Sequence, residues 1–205
     1  MTVTYPLRQQ RRKANRCALI DAAESLFAEH GFEKTTMCNI ADSAELHVQT
    51  LYNHFPTKQS IATALEGEKL RLARSNSPLD TLEFWSHWVE LNATTQLTQD
   101  GGIAFFRYIH ASETDPRIAG VRAGIARAYV EVLADGIAED FGFNRRVDRL
   151  PIVIAYMLWG ANADAVKRWM DKDGEADLRQ LAVDAATEVA IYARQLLDHL
   201  PEQQS

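Results

Sequence analysis

Residues 35–58 read TTMCNIADSAELHVQTLYNHFPTK, and they hold the side chains best placed to do chemistry. Their spacing predicts a short helix over about 36–44, a tight turn, and a second short helix ending at Phe55-Pro56. Ile40, Ala41, Ala44, Leu46, Val48, Leu51 and Phe55 supply an apolar backing. Two such helices form a helix-turn-helix, whose second helix can enter a DNA major groove. The candidate contacts on that helix are His47, Val48, Gln49, Thr50, Tyr52, Asn53 and His54. The amides of Gln49 and Asn53 both donate and accept, which suits base edges, while hydroxyls and imidazoles suit phosphate oxygens. The bland alternative is a short, merely solvated surface helix.

A basic run precedes this segment: Arg8, Arg11, Arg12, Lys13 and Arg16, all before the first acid at Asp21. It reads as a phosphate or minor-groove contact, or else as a solvated terminus. Cys17, Cys38, His30, His47 and His54 match no zinc spacing, so the two cysteines are expected to pack as small apolar residues. No nucleophile elbow, Gly-rich phosphate loop, HExxH or triad is present, and no enzyme activity, metal or cofactor is expected.

These residues need elements to position them. A mobile arm is expected over residues 1–10, then a first helix over 11–30 with Ile20, Ala23, Leu26 and Phe27 on one face and Gly31 as its stop. Thr57 can cap a fourth helix reaching about 74, and Ser75-Asn76-Ser77-Pro78 marks a boundary. The rest reads helical: 80–97 with Leu82, Trp85, Val89 and Ala93 on one stripe and Phe84, Trp88 and Leu91 beside it, a short helix over 103–111, then helices over about 116–141, 147–170 and 176–199. The fold class is all-α: a helix-turn-helix DNA-binding domain of three helices at 1–56, a connecting helix at 57–75, and a larger helical domain at 76–205.

The pairs Ile20-Asp21-Ala22-Ala23, Leu26-Phe27, His30-Gly31-Phe32, Thr35-Thr36, Ile40-Ala41, Thr50-Leu51-Tyr52, His54-Phe55 and Lys58 closely resemble the TetR family of transcriptional regulators. The resemblance covers about residues 16–60. It implies that Thr36, Tyr52, His54 and Lys58 clamp phosphates, Lys58 from a helix N-terminus. Two positions depart from the family pattern. Glu45 stands where Gly is usual and would strain a left-handed turn. His47 stands where Ser or Thr is usual and is a poorer N-cap. The expected effect is on the start and tilt of the recognition helix.

The resemblance also implies a ligand cavity in the second domain. Its candidate lining is Trp85, Trp88, Asn92, Phe106, His110, Tyr129, Tyr156, Trp159 and Asn162, although aromatics at helical spacing are as readily core. Such a wall favours planar or hydrophobic effectors over sugars or small anions. Leu178, Ala182, Ala185, Val189, Tyr192 and Leu196 follow a 4-3-4-3-4 spacing, a seam that packs either on the preceding helix or, as in the family, on a second subunit. The implied function is a ligand-responsive regulator, a repressor released from a palindromic operator. An activator, or a regulator answering to a protein partner, is the alternative.

The bulk numbers agree. The net charge of −6 divides into 10 basic against 8 acidic residues up to residue 75, and 12 against 20 after it. Phosphate contact needs local positive charge, not a basic whole. Two cysteines, a polar N-terminus without a signal-like apolar stretch and no membrane-length apolar run predict a reduced, cytoplasmic protein. The expected partners are double-stranded operator DNA, a hydrophobic or aromatic small molecule and a second copy of the chain.

Overall fold

The computed structural model describes residues 6–32, 34–98, 116–172 and 175–199. The helices are α1 (Pro6–His30), α2 (Met37–Ser43), α3 (Val48–His54), α4 (Lys58–Ser75), α5 (Thr81–Thr98), α6 (Pro116–Phe141), α7 (Leu150–Met170) and α8 (Leu178–Asp198), and no strand occurs among the described residues. The chain divides into two compact units, Met1–Glu68 and Lys69–Ser205, and the division falls inside α4. The expected short helix over 103–111, with Phe106 and His110, lies outside the described residues.

The first unit is built on α1, α2, α3 and the start of α4. Leu19, Ile20, Ala22 and Ala23 of α1 bury against Ile40, Ala41, Leu51 and Phe55, with Ile61 and Leu65 of α4 completing the cluster. The helical period carried by these apolar residues is what closes the unit. Gly31 ends α1 with φ +80 while its N–H returns to the Phe27 carbonyl at 3.0 Å, a backbone state that a side chain would strain. Two expectations need correction. Residues 6–10 are helical, not an arm: Pro6 suits a first helical position, and Leu, Arg and Gln are good helix formers. Cys17 and Cys38 are exposed, each about 200° around its helix from a buried neighbour two residues on, Leu19 and Ile40.

In the second unit the stripe Leu82, Trp85, Val89 and Ala93 is buried as the period predicts, whereas Leu91 is exposed. Leu82, Trp85 and Val89 join Val130, Leu133 and Ile137 of α6, Ile154, Ala155 and Leu158 of α7, and Ala182, Ala186 and Ala193 of α8, while Ala93 packs with Val166, Trp169 and Leu178. A polar knot ties the helix ends together. Asp140 accepts from the Thr81 amide and hydroxyl, both at 2.6 Å, and from Arg74 Nη2 at 2.5 Å, while Arg74 Nε donates to Thr81 Oγ1 at 2.9 Å. Gly136 makes room for it, since an added Cβ would lie 2.4 Å from Thr81 Oγ1. Asp80 caps α5 through the Leu82 and Glu83 amides and pairs with Arg194. Burial alone would raise its carboxyl, but the Arg194 bond and these amides hold it below the usual carboxylate range.

Candidate nucleic-acid interface

Local chemistry places α2 and α3. Thr36 caps α2: its hydroxyl accepts from the Asn39 amide at 3.1 Å, and Asn39 Oδ1 accepts in return from the Thr36 amide at 3.1 Å and hydroxyl at 2.6 Å. The reciprocal pair is a capping box with Asn at its fourth position; the signal stands in Thr36-Met37-Cys38-Asn39, though sequence reasoning missed it. The turn runs through Glu45, whose φ is +53, so this chain does adopt the left-handed turn without glycine. The Leu46 amide closes it on the Ala41 carbonyl at 2.9 Å. His47 then caps α3 through its ring, Nδ1 accepting from the Gln49 amide at 3.2 Å. That role requires a neutral ring with the proton on Nε2.

α3 sorts its side chains by face. Leu51 and Phe55 are buried and Val48 packs on the same core, so Val48 faces inward. Gln49, Tyr52 and Asn53 are exposed together, within about 100° of arc, and Thr50 is half-buried beside them. His54 is half-buried at the C-terminal end. The α1 face that buries Leu19 and Ala23 carries Arg8, Arg11, Arg12 and Arg16 as it continues N-terminally, with Lys13 to one side. Arg16 lies over the Phe55 ring, and burial together with the fields of Arg12 and Arg16 lowers the His54 pKa. Guanidinium charge therefore stands beside the end of α3. Lys58 does not point outward: its ammonium donates to the carbonyls of Phe32 at 2.6 Å and Thr35 at 2.9 Å and lies over the Phe32 ring.

The geometry is that of a helix-turn-helix, and the sequence comparisons agree. A model described as bacterial regulatory proteins, tetR family, matches residues 19–65. The HTH-type transcriptional regulator UidR of Escherichia coli (strain K12) is 31% identical over 84 residues, which is 40% of this chain and 43% of that protein. Residues 19–65 are thus the tetR-type helix-turn-helix segment of the chain. The HTH-type transcriptional repressor KstR2 of Rhodococcus jostii (strain RHA1) is 42% identical to this chain over 50 residues, 24% of each. The chain thus spans less than half the length of these curated relatives. A TetR transcriptional regulator from Rhodococcus sp. RHA1 shares the fold, with a TM-score of 0.55 at 16% identity over 93% of this chain and 100% of that one.

In the second unit the structure joins some expected ligand residues and separates others. Trp85 packs edge-to-face on Tyr129, with centroids 6.1 Å apart, and Tyr129 on Trp159 at 5.1 Å. Trp88 stacks near Phe84 at 5.9 Å, and its carbonyl accepts the Asn92 amide at 2.8 Å. Asn162 is half-buried. Tyr156 does not join them; it is 58% exposed, about 200° around α7 from both Ile154 and Leu158. A cleft of about 660 Å³ lies elsewhere in the unit, lined by charged groups such as Arg71, Arg74, Asp80 and Asp135 rather than by aromatics.

The expected seam on α8 also splits. Leu178 and Ala182 are buried in the unit's own core, in a row that continues through Ala186 and Ala193. Ala185 and Val189 are half-buried against that core. Tyr192 and Leu196 are exposed, as is Ile191.

Proposed function

We propose that this chain is a dimeric DNA-binding transcriptional repressor that leaves its operator when a small, partly hydrophobic or aromatic molecule binds the second unit. The observation that carries the DNA reading is the exposed set Gln49, Tyr52 and Asn53, flanked by the arginine face of α1 that reaches Phe55 and His54. Gln49 and Asn53 read base edges; Tyr52, His54 and the α1 arginines hold phosphates. Thr36 and His47 contribute through the helix starts they cap.

Dimerisation is supported by an apolar outer face. Val153 and Tyr156 of α7 are exposed, as are Tyr192 and Leu196 of α8. α7 and α8 pack on each other across a short connection, so residues equally far from it stand level, as Tyr156 and Tyr192 do. Exposed apolar side chains at one level of a helix pair favour a second copy. Two recognition helices then address half-sites about one helical turn, roughly 34–36 Å, apart. An effector shifts the equilibrium only by its differential affinity for the operator-bound and released forms. No described helix is long and apolar enough to cross a membrane, and a role on operator DNA supports a cytoplasmic location.

The test is selection of duplexes from a random library, followed by gel shift. Enrichment of a palindrome is expected, and Gln49→Ala should change the preferred base at one position per half-site by roughly 1–3 kcal/mol. Uniform, sequence-independent binding by the wild-type chain would sink the proposal.

A further inference from the structure

The indole nitrogen of Trp85 is the unusual atom of the second unit. Trp85 is 1% exposed, and its Nε1 has no hydrogen-bond partner among the described residues. Buried donors in folded proteins are nearly always bonded, because one left unbonded keeps the penalty of lost water. The surroundings offer little relief. The cluster that holds Trp85 sets Leu82, Val89, Val130 and Leu133 beside the Tyr129 and Trp159 rings, and the Arg74 guanidinium lies at its edge, 6.0 Å from the Phe84 centroid.

Resting on the effector-responsive reading above, we infer that Trp85 Nε1 is the polar anchor of the effector site and that the effector is a neutral, planar carbonyl compound, such as an aryl ketone, quinone or lactone. The donor has no acceptor role, so it selects a hydrogen-bond acceptor. An anionic acceptor would be stripped of water there, and Arg74 at the cluster's edge is already engaged by Asp140 and Thr81, so a neutral one is selected. The edge-to-face chain Trp85–Tyr129–Trp159 presents aromatic faces and edges, which match a flat conjugated molecule. A single directional bond set in an apolar wall is the usual composition of a small-molecule site. Trp88 differs in kind: it is half-buried, and the polar contact beside it is the Asn92 bond to its backbone carbonyl.

The test uses the full chain with ¹⁵N-labelled tryptophan, in which four indole N–H signals are expected from the four tryptophans. Trp85→Phe assigns the signal of interest. The probes are acetophenone and 2-acetylnaphthalene, each compared with its isopropenyl analogue, in which C=CH₂ replaces C=O and shape is kept. Ketone binding should move the Trp85 proton signal downfield. The better ketone should bind roughly five- to tenfold more tightly than its hydrocarbon analogue, the worth of one net hydrogen bond. Trp85→Phe should abolish that ratio while hydrocarbon binding persists; should that variant unfold, the wild-type ratio alone decides. The inference is overturned if neither ketone moves the Trp85 signal, or if ketone and hydrocarbon bind equally. A Trp85 signal shifted upfield and unmoved by any probe would place the N–H on the Tyr129 ring instead, and would overturn it as well. Operator release, followed by gel shift in the same titrations, separates the two readings. Equal release by ketone and hydrocarbon keeps the repressor and removes the carbonyl anchor, whereas a chain that selects no operator removes the repressor itself.

Discussion

The guanidinium of Arg16 lies over the ring of Phe55, 4.6 Å from its centroid, and so fastens the middle of α1 to the residue that ends α3. Cation–π contacts of this kind are worth about 0.5–2 kcal/mol. Arg12, one turn earlier on the same face, is exposed. The two arginines thus divide the work: one holds α1 against the recognition helix, and the other presents charge beside it.

Arg12→Ala and Lys58→Ala should therefore fail in different ways. Loss of Arg12 should lower the slope of log affinity against log salt by about 1 and leave thermal stability unchanged. Loss of Lys58 leaves the Phe32 and Thr35 carbonyls without their ammonium donor and should destabilise the fold by roughly 1–3 kcal/mol. Thermal unfolding and gel shifts across a salt series distinguish them; an unchanged melting temperature for Lys58→Ala would contradict its role as an internal clamp.

Glu45 holds φ +53 at an exposed turn, a conformation that costs a residue bearing Cβ about 1–2 kcal/mol relative to glycine. Glu45→Gly should raise stability by roughly 0.5–1 kcal/mol once the extra freedom of the unfolded chain is counted. Denaturant titration measures this, and a lower midpoint would show that the glutamate side chain makes a compensating contact.

Leu196→Glu places a charge on the outer face of α8, where Leu196 is 47% exposed in the single chain. The isolated fold should tolerate it, while the dimer should dissociate and operator affinity fall, because burying an unpaired charge in an interface is strongly unfavourable. Ala185→Glu is a poorer probe, since Ala185 packs against the unit's own core. A Leu196→Glu chain that sediments as a dimer would exclude this face.

His54 supplies a pH signature. Burial, then Arg12 and Arg16, lower its pKa below the ordinary 6.5. The neutral ring is thus the favoured folded form; its contribution to stability is present above the unfolded value and lost as pH falls through the lowered one. A phosphate beside His54 opposes the arginine field and raises the pKa, so operator affinity should increase as pH falls below 6.5. His54→Gln should erase the increase, and affinities measured at about pH 7.5 and about pH 6 would show it. A wild-type curve matching the variant's would remove His54 from the phosphate contacts.

The apolar backing of the helix-turn-helix and the α5 stripe were legible because a 3.6-residue period is written in residue types alone. Three features were not. The α1 extension to Pro6 carries charge and amides rather than an apolar stripe, so only helix propensity marks it. Lys58 has the chemistry of a phosphate clamp, and nothing in its neighbours along the chain reveals that carbonyls 23 and 26 residues back claim it. The α8 seam and the α8 inward row share Leu178 and Ala182, and a period of 3.5 cannot be told from 3.6 over so few turns. Tyr156 went astray for a related reason: aromatic character says nothing about which side of α7 meets the core.

The pairing of Thr81 with Asp140 spans 59 residues, and it fixes an order of events during synthesis. The contacts of the first unit close within its first 68 residues, so that unit can fold while the ribosome is still making α5. The start of α5, by contrast, leaves the ribosome long before its second carboxylate exists, and Arg74 and Thr81 stay solvated until α6 is complete. Nascent chains stalled with Asp140 still inside the exit tunnel should therefore carry a protease-resistant first unit and a digestible second one. On the function proposed above, the unit that would read DNA is made before the unit that would answer an effector.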